Sequence, residues 1–171
     1  MESKLFLDRQ DIKRIVNTIG DRINKSVVAT PSNPIVLLGI MDGAAMFMCD
    51  IAKQIKHPTV MLFAKCHSYN ETSQGRFVFD YWPDYDFTGK HVIIVDEIID
   101  TGNTMREVMQ MILKNHEPLK IEICGLIKRA GCPCYVDYLG RQVAPEAWLF
   151  GYGMDYPDGM NRNLANIYIK S

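Results

Sequence analysis

The chain has 171 residues, 47% hydrophobic and 23% charged, with a formal net charge of −1. That is the size and composition of one globular domain with a substantial core. The near-neutral charge gives no global attraction to nucleic acid or an anionic membrane, and no apolar stretch is long enough to span a bilayer.

In chain order, the first segment, MESKLFLDRQD, lacks the apolar core of a secretion signal. Asp8 then stands ready to cap a helix in which Ile12, Ile15, Val16, Ile19 and Ile23 recur at helical spacing. Pro34 to Ile40 reads as an apolar strand, Ala44 to Ile55 as a helix with a Met-rich buried face, and Val60 to Ala64 as a short strand. Cys66 to Gly75 is polar without periodicity and is expected to be a mobile loop, with Arg76 to Trp82 a strand or ribbon beside it. Val92 to Val95 is a β-branched run of the kind buried on both faces of a sheet. Thr104 to Leu113 follows as a helix and Ile121 to Ile127 as a strand.

This alternation predicts an α/β fold with a mainly parallel twisted sheet, right-handed crossovers and flanking helices. From Val136 the tail carries short aromatic strands without good helices between them, as a hood over a site would. We expect a single domain over 1–171, with a core at about 8–128. The hood is expected at about 129–171, joined by the amino-terminal segment. Five cysteines form no regular framework, which favours a reduced cytoplasm. Cys132-Pro133-Cys134 has the wrong spacing, and no second close pair, for a tetrahedral zinc site.

The chemistry concentrates in His91 to Met105, HVIIVDEIIDTGNTM. The acidic pair Asp96-Glu97 lies at the carboxyl end of the buried strand, where open α/β sheets bind ligands. Asp100-Thr101-Gly102-Asn103-Thr104 is a tight polar turn into a helix, offering free N–H groups, hydroxyls and a helix amino terminus to a phosphate. Two carboxylates there would repel a bare anion. They suit a ligand that also carries vicinal hydroxyls and a divalent metal, a description met by 5-phosphoribosyl 1-diphosphate.

Two acidic residues, two apolar ones and Asp-Thr-Gly-x-Thr resemble the signature of the type I phosphoribosyltransferases. Across the chain the likeness is greatest to the hypoxanthine(-guanine) phosphoribosyltransferases. Leu38 to Gly43 resembles their diphosphate loop, His67-Ser68-Tyr69 their catalytic loop, and Asp137 to Gly140 with Phe150 to Tyr156 and Arg162-Asn163-Leu164 their hood. The resemblance implies transfer of phosphoribosyl to a 6-oxopurine, hypoxanthine first and guanine as a possible acceptor, with Mg²⁺ as cofactor. It also implies a homodimer or homotetramer, for which the helix from Ala44 offers a contact surface.

By the same resemblance, Asp100, Thr101, Gly102, Asn103 and Thr104 grip the 5′-phosphate. Asp96 and Glu97 engage the ribose hydroxyls or their metal, and Asp100 also manages the purine N7 proton. Asp42 and Gly43, Ser68, Tyr69 and Arg162 meet diphosphate, with Tyr69 closing over the reacting centre. Tyr135, Trp148, Leu149 and Asp155 line the purine position, Trp148 by stacking, and Asp155 also helps hold a second Mg²⁺.

The chain departs from its apparent relatives in three places. Asp-Glu replaces Glu-Asp in the signature, Asp42 stands where a Lys or Arg is common, and Tyr135 aligns with a base-contacting Lys, for which Lys128 and Arg129 are nearby substitutes whose usual counterparts are structural or phosphate-facing. Bland readings compete at several positions: Asp100 or Asp42 as a helix cap, and Trp148 as core. Two other functions also remain open, transfer to another base such as xanthine or uracil, and a non-catalytic phosphoribosyl-diphosphate sensor.

Overall fold

The structure is a computed structural model that describes residues 3–69 and 76–170. Asp8 starts helix α1 (Arg9–Ser26) with a reciprocal cap. Its carboxylate accepts from the N–H groups of Gln10 and Asp11, both at 2.8 Å, and Asp11 accepts from the Asp8 N–H at 3.2 Å. Ile12, Val16, Ile19 and Ile23 are buried as their spacing requires, with Ile15 partly buried against the same core.

Strands β2 (Ile35–Met41), β3 (Thr59–Tyr69), β4 (Arg76–Tyr81), β5 (His91–Ile99), β6 (Lys120–Arg129) and β7 (Tyr138–Val143) form one sheet in the order β4-β3-β2-β5-β6-β7. All neighbours are parallel except β3 with β4. Helices α2 (Ala45–Gln54) and α3 (Asn103–Asn115) make the crossovers after β2 and β5.

Both faces of the sheet are covered, so β2 and β5 have no polar face. Ile35, Leu37, Ile93 and Val95 pack with α1 and with Phe47, Met48 and Ile51 of α2. Their neighbours Val36, Leu38, Val92 and Ile94 pack with Met105, Val108 and Ile112 of α3 and with Phe87. Side chains alternate between faces along a strand, and burial of both explains the continuous apolar runs.

The crossover from β2 leads outward to β3, and the crossover from β5 leads the other way to β6. Loops after β2 and β5 therefore diverge and leave a crevice between their carboxyl ends. A second sheet, ordered β1-β9-β8, is built from β1 (Ser3–Leu7), β8 (Leu149–Phe150) and β9 (Ile167–Lys170). It joins the first strand of the chain to its tail.

Two expectations are corrected. The strand expected at Val60 to Ala64 extends to Tyr69, so Cys66 to Tyr69 is paired strand rather than loop. Its polar outer residues hid this: His67 Nδ1 lies 2.8 Å from the Asp80 carboxylate on β4. The rest of the expected loop, 70–75, lies outside the described residues, as does the Tyr69 side chain. Secondly, the six-stranded sheet continues past residue 129, because β7 pairs in parallel with β6 at its edge.

At the opposite, amino-terminal end of the strands lies a buried polar network. Glu122 accepts from Tyr138 Oη at 2.9 Å, sits 2.5 Å from His91 Nε2 and meets Lys120 at 2.6 Å, while Ser26 Oγ lies 2.6 Å from Tyr138 Oη. Burial pushes the Glu122 carboxyl up, but Lys120, His91 and Tyr138 together hold it below the usual value.

Candidate active site

Asp96 and Glu97 lie near the carboxyl end of β5 and are both buried. Burial pushes both carboxyls above the ordinary range, and the Glu97 charge adds to the rise at Asp96. Asp96 Oδ1 accepts the Glu97 N–H at 3.0 Å. Glu97 Oε2 is buried with no hydrogen-bond partner among the described residues. A buried oxygen left without a partner is costly, so Glu97 is built to meet something that brings a donor or a cation.

Beyond them the turn before α3 opens one side of the crevice. Gly102 takes φ +83°, a conformation most side chains avoid, and no side chain caps the helix there. Asp100 is therefore not the cap that its residue type allowed. Asn103 N–H is held by Thr101 Oγ1 at 3.3 Å, which leaves other first-turn N–H groups directed outward. Asp96, Ile98, Asp100, Thr101, Gly102 and Thr104 share a small cavity of about 60 Å³.

The loop after β2 approaches from the other side. A cis peptide joins Met41 to Asp42, and Gly43 follows. A Cβ on Gly43 would collide with the Glu97 carboxylate, and one on Gly153 would collide with the Gly43 carbonyl oxygen. Only glycines allow this stacking of Glu97, the β2 loop and the hood turn. The Asp42 carboxylate does not cap α2; it accepts from Lys65 Nζ at 2.7 Å. In the hood turn, Arg162 donates to the Gly153 carbonyl at 2.6 Å and pairs with Asp155 at 2.9 Å.

Between β5, β6 and the hood lies a cavity of about 180 Å³ whose lining includes Glu97, Ile98, Asp100, Arg129, Trp148 and Asp155. Leu149 is buried in β8, whereas Trp148 just before it keeps 48% of its surface exposed. An aromatic with that much free surface is not core packing. Arg129, at the end of β6, forms an ion pair with Asp100 and donates to the carbonyls of Pro145 at 3.1 Å and Ala147 at 2.5 Å.

Most residues expected from the sequence thus meet around one crevice: Asp96, Glu97, Asp100 to Thr104, Asp42, Gly43, Trp148, Leu149, Asp155 and Arg162. Ser68 is exposed near the end of β3. Tyr135 stands apart: it is 78% exposed and lines a larger cavity of about 630 Å³ with Thr101, Gly102 and Asn103 of the turn into α3 and with Met105, Met109 and Leu113 of that helix. The cation that shares a cavity with Asp100 and Trp148 is Arg129, one of the two nearby cations considered above as substitutes for the missing lysine. Asp96, Glu97 and Asp155 also form no ready cluster of three metal ligands among the described residues. The orphaned Glu97 oxygen still fits a Mg²⁺ ion that completes its shell with water and substrate oxygens, as that ion commonly does.

Comparison with known proteins shows the family and the fold. Residues 4–156 match the phosphoribosyl transferase domain family. The chain belongs to that family. The hypoxanthine-guanine phosphoribosyltransferase of Aquifex aeolicus is 32% identical over 171 residues, covering 97% of this chain and 93% of that protein. The hypoxanthine phosphoribosyltransferase of Haemophilus influenzae is 32% identical over 170 residues, covering 95% and 92%. Among solved structures, a Trypanosoma cruzi hypoxanthine phosphoribosyltransferase superposes with a TM-score of 0.88 at 26% identity, over 98% of this chain and 91% of that one. A point mutant of the T. cruzi enzyme, complexed with the product IMP, gives 0.85 at 27% identity over 99% and 91%. The mainly parallel sheet with its hood is thus the type I phosphoribosyltransferase fold.

Proposed function

We propose that this phosphoribosyltransferase makes IMP and diphosphate from hypoxanthine and 5-phosphoribosyl 1-diphosphate, with guanine a second substrate. One observation carries the reading: the Asp100–Arg129 pair and the free face of Trp148 border one cavity, directly beside the phosphate turn. A flat base with a carbonyl and an exchangeable ring proton fits that combination.

In this reading the N–H groups of Thr101 to Thr104 hold the 5′-phosphate, and Asp96 and Glu97 face the ribose hydroxyls. The base stacks on Trp148 with its six-oxo edge toward Arg129 and the Leu149 backbone. Main-chain donors at Asp42 and Gly43, with Ser68 and Arg162, receive the diphosphate. As the C1–oxygen bond to diphosphate breaks, the sugar gains oxocarbenium character and N9 of the base forms the new bond to C1. Asp100 accepts the N7 proton, and such general-base help is worth about 10²–10⁴-fold. Rigid placement of both reactants supplies a further part of the acceleration. Asp96, Glu97 and Asp155 would hold Mg²⁺, which would supply positive charge to offset that of the leaving diphosphate.

Exposed Met46 on α2 and Met61 and Phe63 on β3 support a second copy covering that face, giving a homodimer or homotetramer. Free cysteines throughout the described residues support a cytoplasmic setting. The test is incubation with Mg²⁺, the donor and hypoxanthine: IMP and diphosphate in equal amounts are expected. Donor binding without nucleotide from any base would leave the sensor reading in its place.

A further inference from the structure

The diphosphate end of the crevice presents an electrostatic problem. Asp42, Asp96, Glu97 and Asp155 surround the place where a polyanion must sit. Arg162 is already paired with Asp155, and Arg129 with Asp100. Asp42 is the most exposed of the difficulties, since it lies on the very loop whose N–H groups would receive the anion. An unneutralised carboxylate at this point would oppose binding directly.

The fold answers from the adjacent strand. β2 and β3 are parallel, and Met41 pairs in register with Lys65, so the two strands deliver the loop and a lysine to the same end of the sheet. Lys65 Nζ lies 2.7 Å from the Asp42 carboxylate, with the two side chains 48% and 57% exposed. An ion pair this open to water stabilises a fold little, which removes the usual reason for its presence. An ammonium has three protons. Among the described residues Lys65 donates to Asp42 alone, which leaves protons free for a second acceptor. From Lys65 the contacts run through Asp42 and Gly43 to Gly153 and Arg162, so a cation stands at each end of one continuous loop-and-turn floor.

We propose that Lys65, held at the β2 loop by Asp42, is a diphosphate-binding residue of this enzyme. The pair replaces a cation on the loop itself: Asp42 draws the ammonium across from β3, and the ammonium cancels the Asp42 charge while donating to a phosphate oxygen. This rests on the function proposed above for the site, but it concerns binding of the anion and can be measured without turnover.

The experiment titrates inorganic diphosphate, at fixed Mg²⁺, into the full chain by calorimetry, with Michaelis constants for donor and base measured in parallel. Lys65→Met should weaken diphosphate roughly 10- to 100-fold, as expected for loss of a charge-assisted hydrogen bond. It should raise the donor constant and leave the base constant within about threefold. Lys65→Arg, which keeps the charge, should stay near wild type. Adding Asp42→Asn to Lys65→Met should recover part of the lost affinity, because it removes the carboxylate left facing the anion. Wild-type affinity in Lys65→Met, equal losses in Lys65→Met and Lys65→Arg, or no recovery in the double variant would each overturn the proposal. So would a wild-type chain that binds no diphosphate. Diphosphate binding that depends on Lys65 in a chain that forms no nucleotide would instead uphold it and sink the transferase reading.

Discussion

Arg129 and Asp100 form an ion pair across the carboxyl ends of the neighbouring strands β6 and β5. In the proposed reaction, the carboxylate that takes a proton from the base is thereby held beside the guanidinium that reads the base's carbonyl edge. Burial does not make the pair a structural bolt, since Asp100 keeps more than half of its side chain exposed.

Arg129→Met should therefore raise the Michaelis constant for the base, by roughly 10- to 100-fold for loss of a charged hydrogen bond, and change that for the donor far less. Tyr135→Lys should not improve the use of either hypoxanthine or guanine, because Tyr135 lines the other cavity. Steady-state kinetics with both bases separates the two positions. A gain from Tyr135→Lys would return the base contact to that residue.

Asp100→Asn should leave binding of donor and base within a few-fold and reduce turnover by about 10²–10⁴-fold. The amide keeps the size and some of the hydrogen bonding but cannot accept the proton. Single-turnover kinetics reads the chemical step directly; an unchanged rate would leave Asp100 with a purely positional role.

Trp148→Ala removes an aromatic that is 48% exposed at the edge of the cavity. Base stacking on an aromatic is worth about 1–3 kcal/mol in nucleic-acid sites, and a loss of that order should appear in the base constant alone. Equal effects on base and donor would mean that Trp148 supports the hood rather than the base.

Stability should respond to pH through Glu122. Its carboxyl sits below the ordinary value because Lys120, His91 and Tyr138 together outweigh the opposing effect of burial. A depressed folded-state value stabilises the fold above the unfolded value near 4.5, and that contribution disappears as pH falls through the folded value. Glu122→Gln should thus cost about 1.5–3 kcal/mol at pH 7, the range for a hydrogen bond to a charged group, and much less in acid. Urea unfolding of both proteins across pH 3 to 7 checks this. A pH-independent difference would contradict the assignment.

How much of this was legible in the sequence depended on how local each feature is. Asp96 to Thr104 was readable because one strand, one turn and one helix start carry it all. The capping of α1 by Asp8 was equally local. Arg129 was legible only as one of two nearby cations, since its position comes from β6 lying beside β5 and from the carbonyls of Pro145 and Ala147, which return from the hood. Tyr135 was hard to place for the complementary reason. It sits in the loop between β6 and β7, where alignment by residue count has no periodicity to anchor it. The extension of β3 was hidden because Lys65 and His67 carry charge or polarity on a strand whose partners, Asp42 and Asp80, are distant in sequence. The pairing of β1 with β9 spans nearly the whole chain, yet the hood's position at the tail was visible from its aromatic strands.

The most direct test offers hypoxanthine, guanine, xanthine and uracil separately, with 5-phosphoribosyl 1-diphosphate and Mg²⁺, and compares kcat/KM for nucleotide formation. The account predicts IMP formation with the highest value, GMP formation next, and both reduced more than tenfold by Arg129→Met. Uracil or xanthine preferred over hypoxanthine, or 6-oxopurine use indifferent to Arg129, would contradict it.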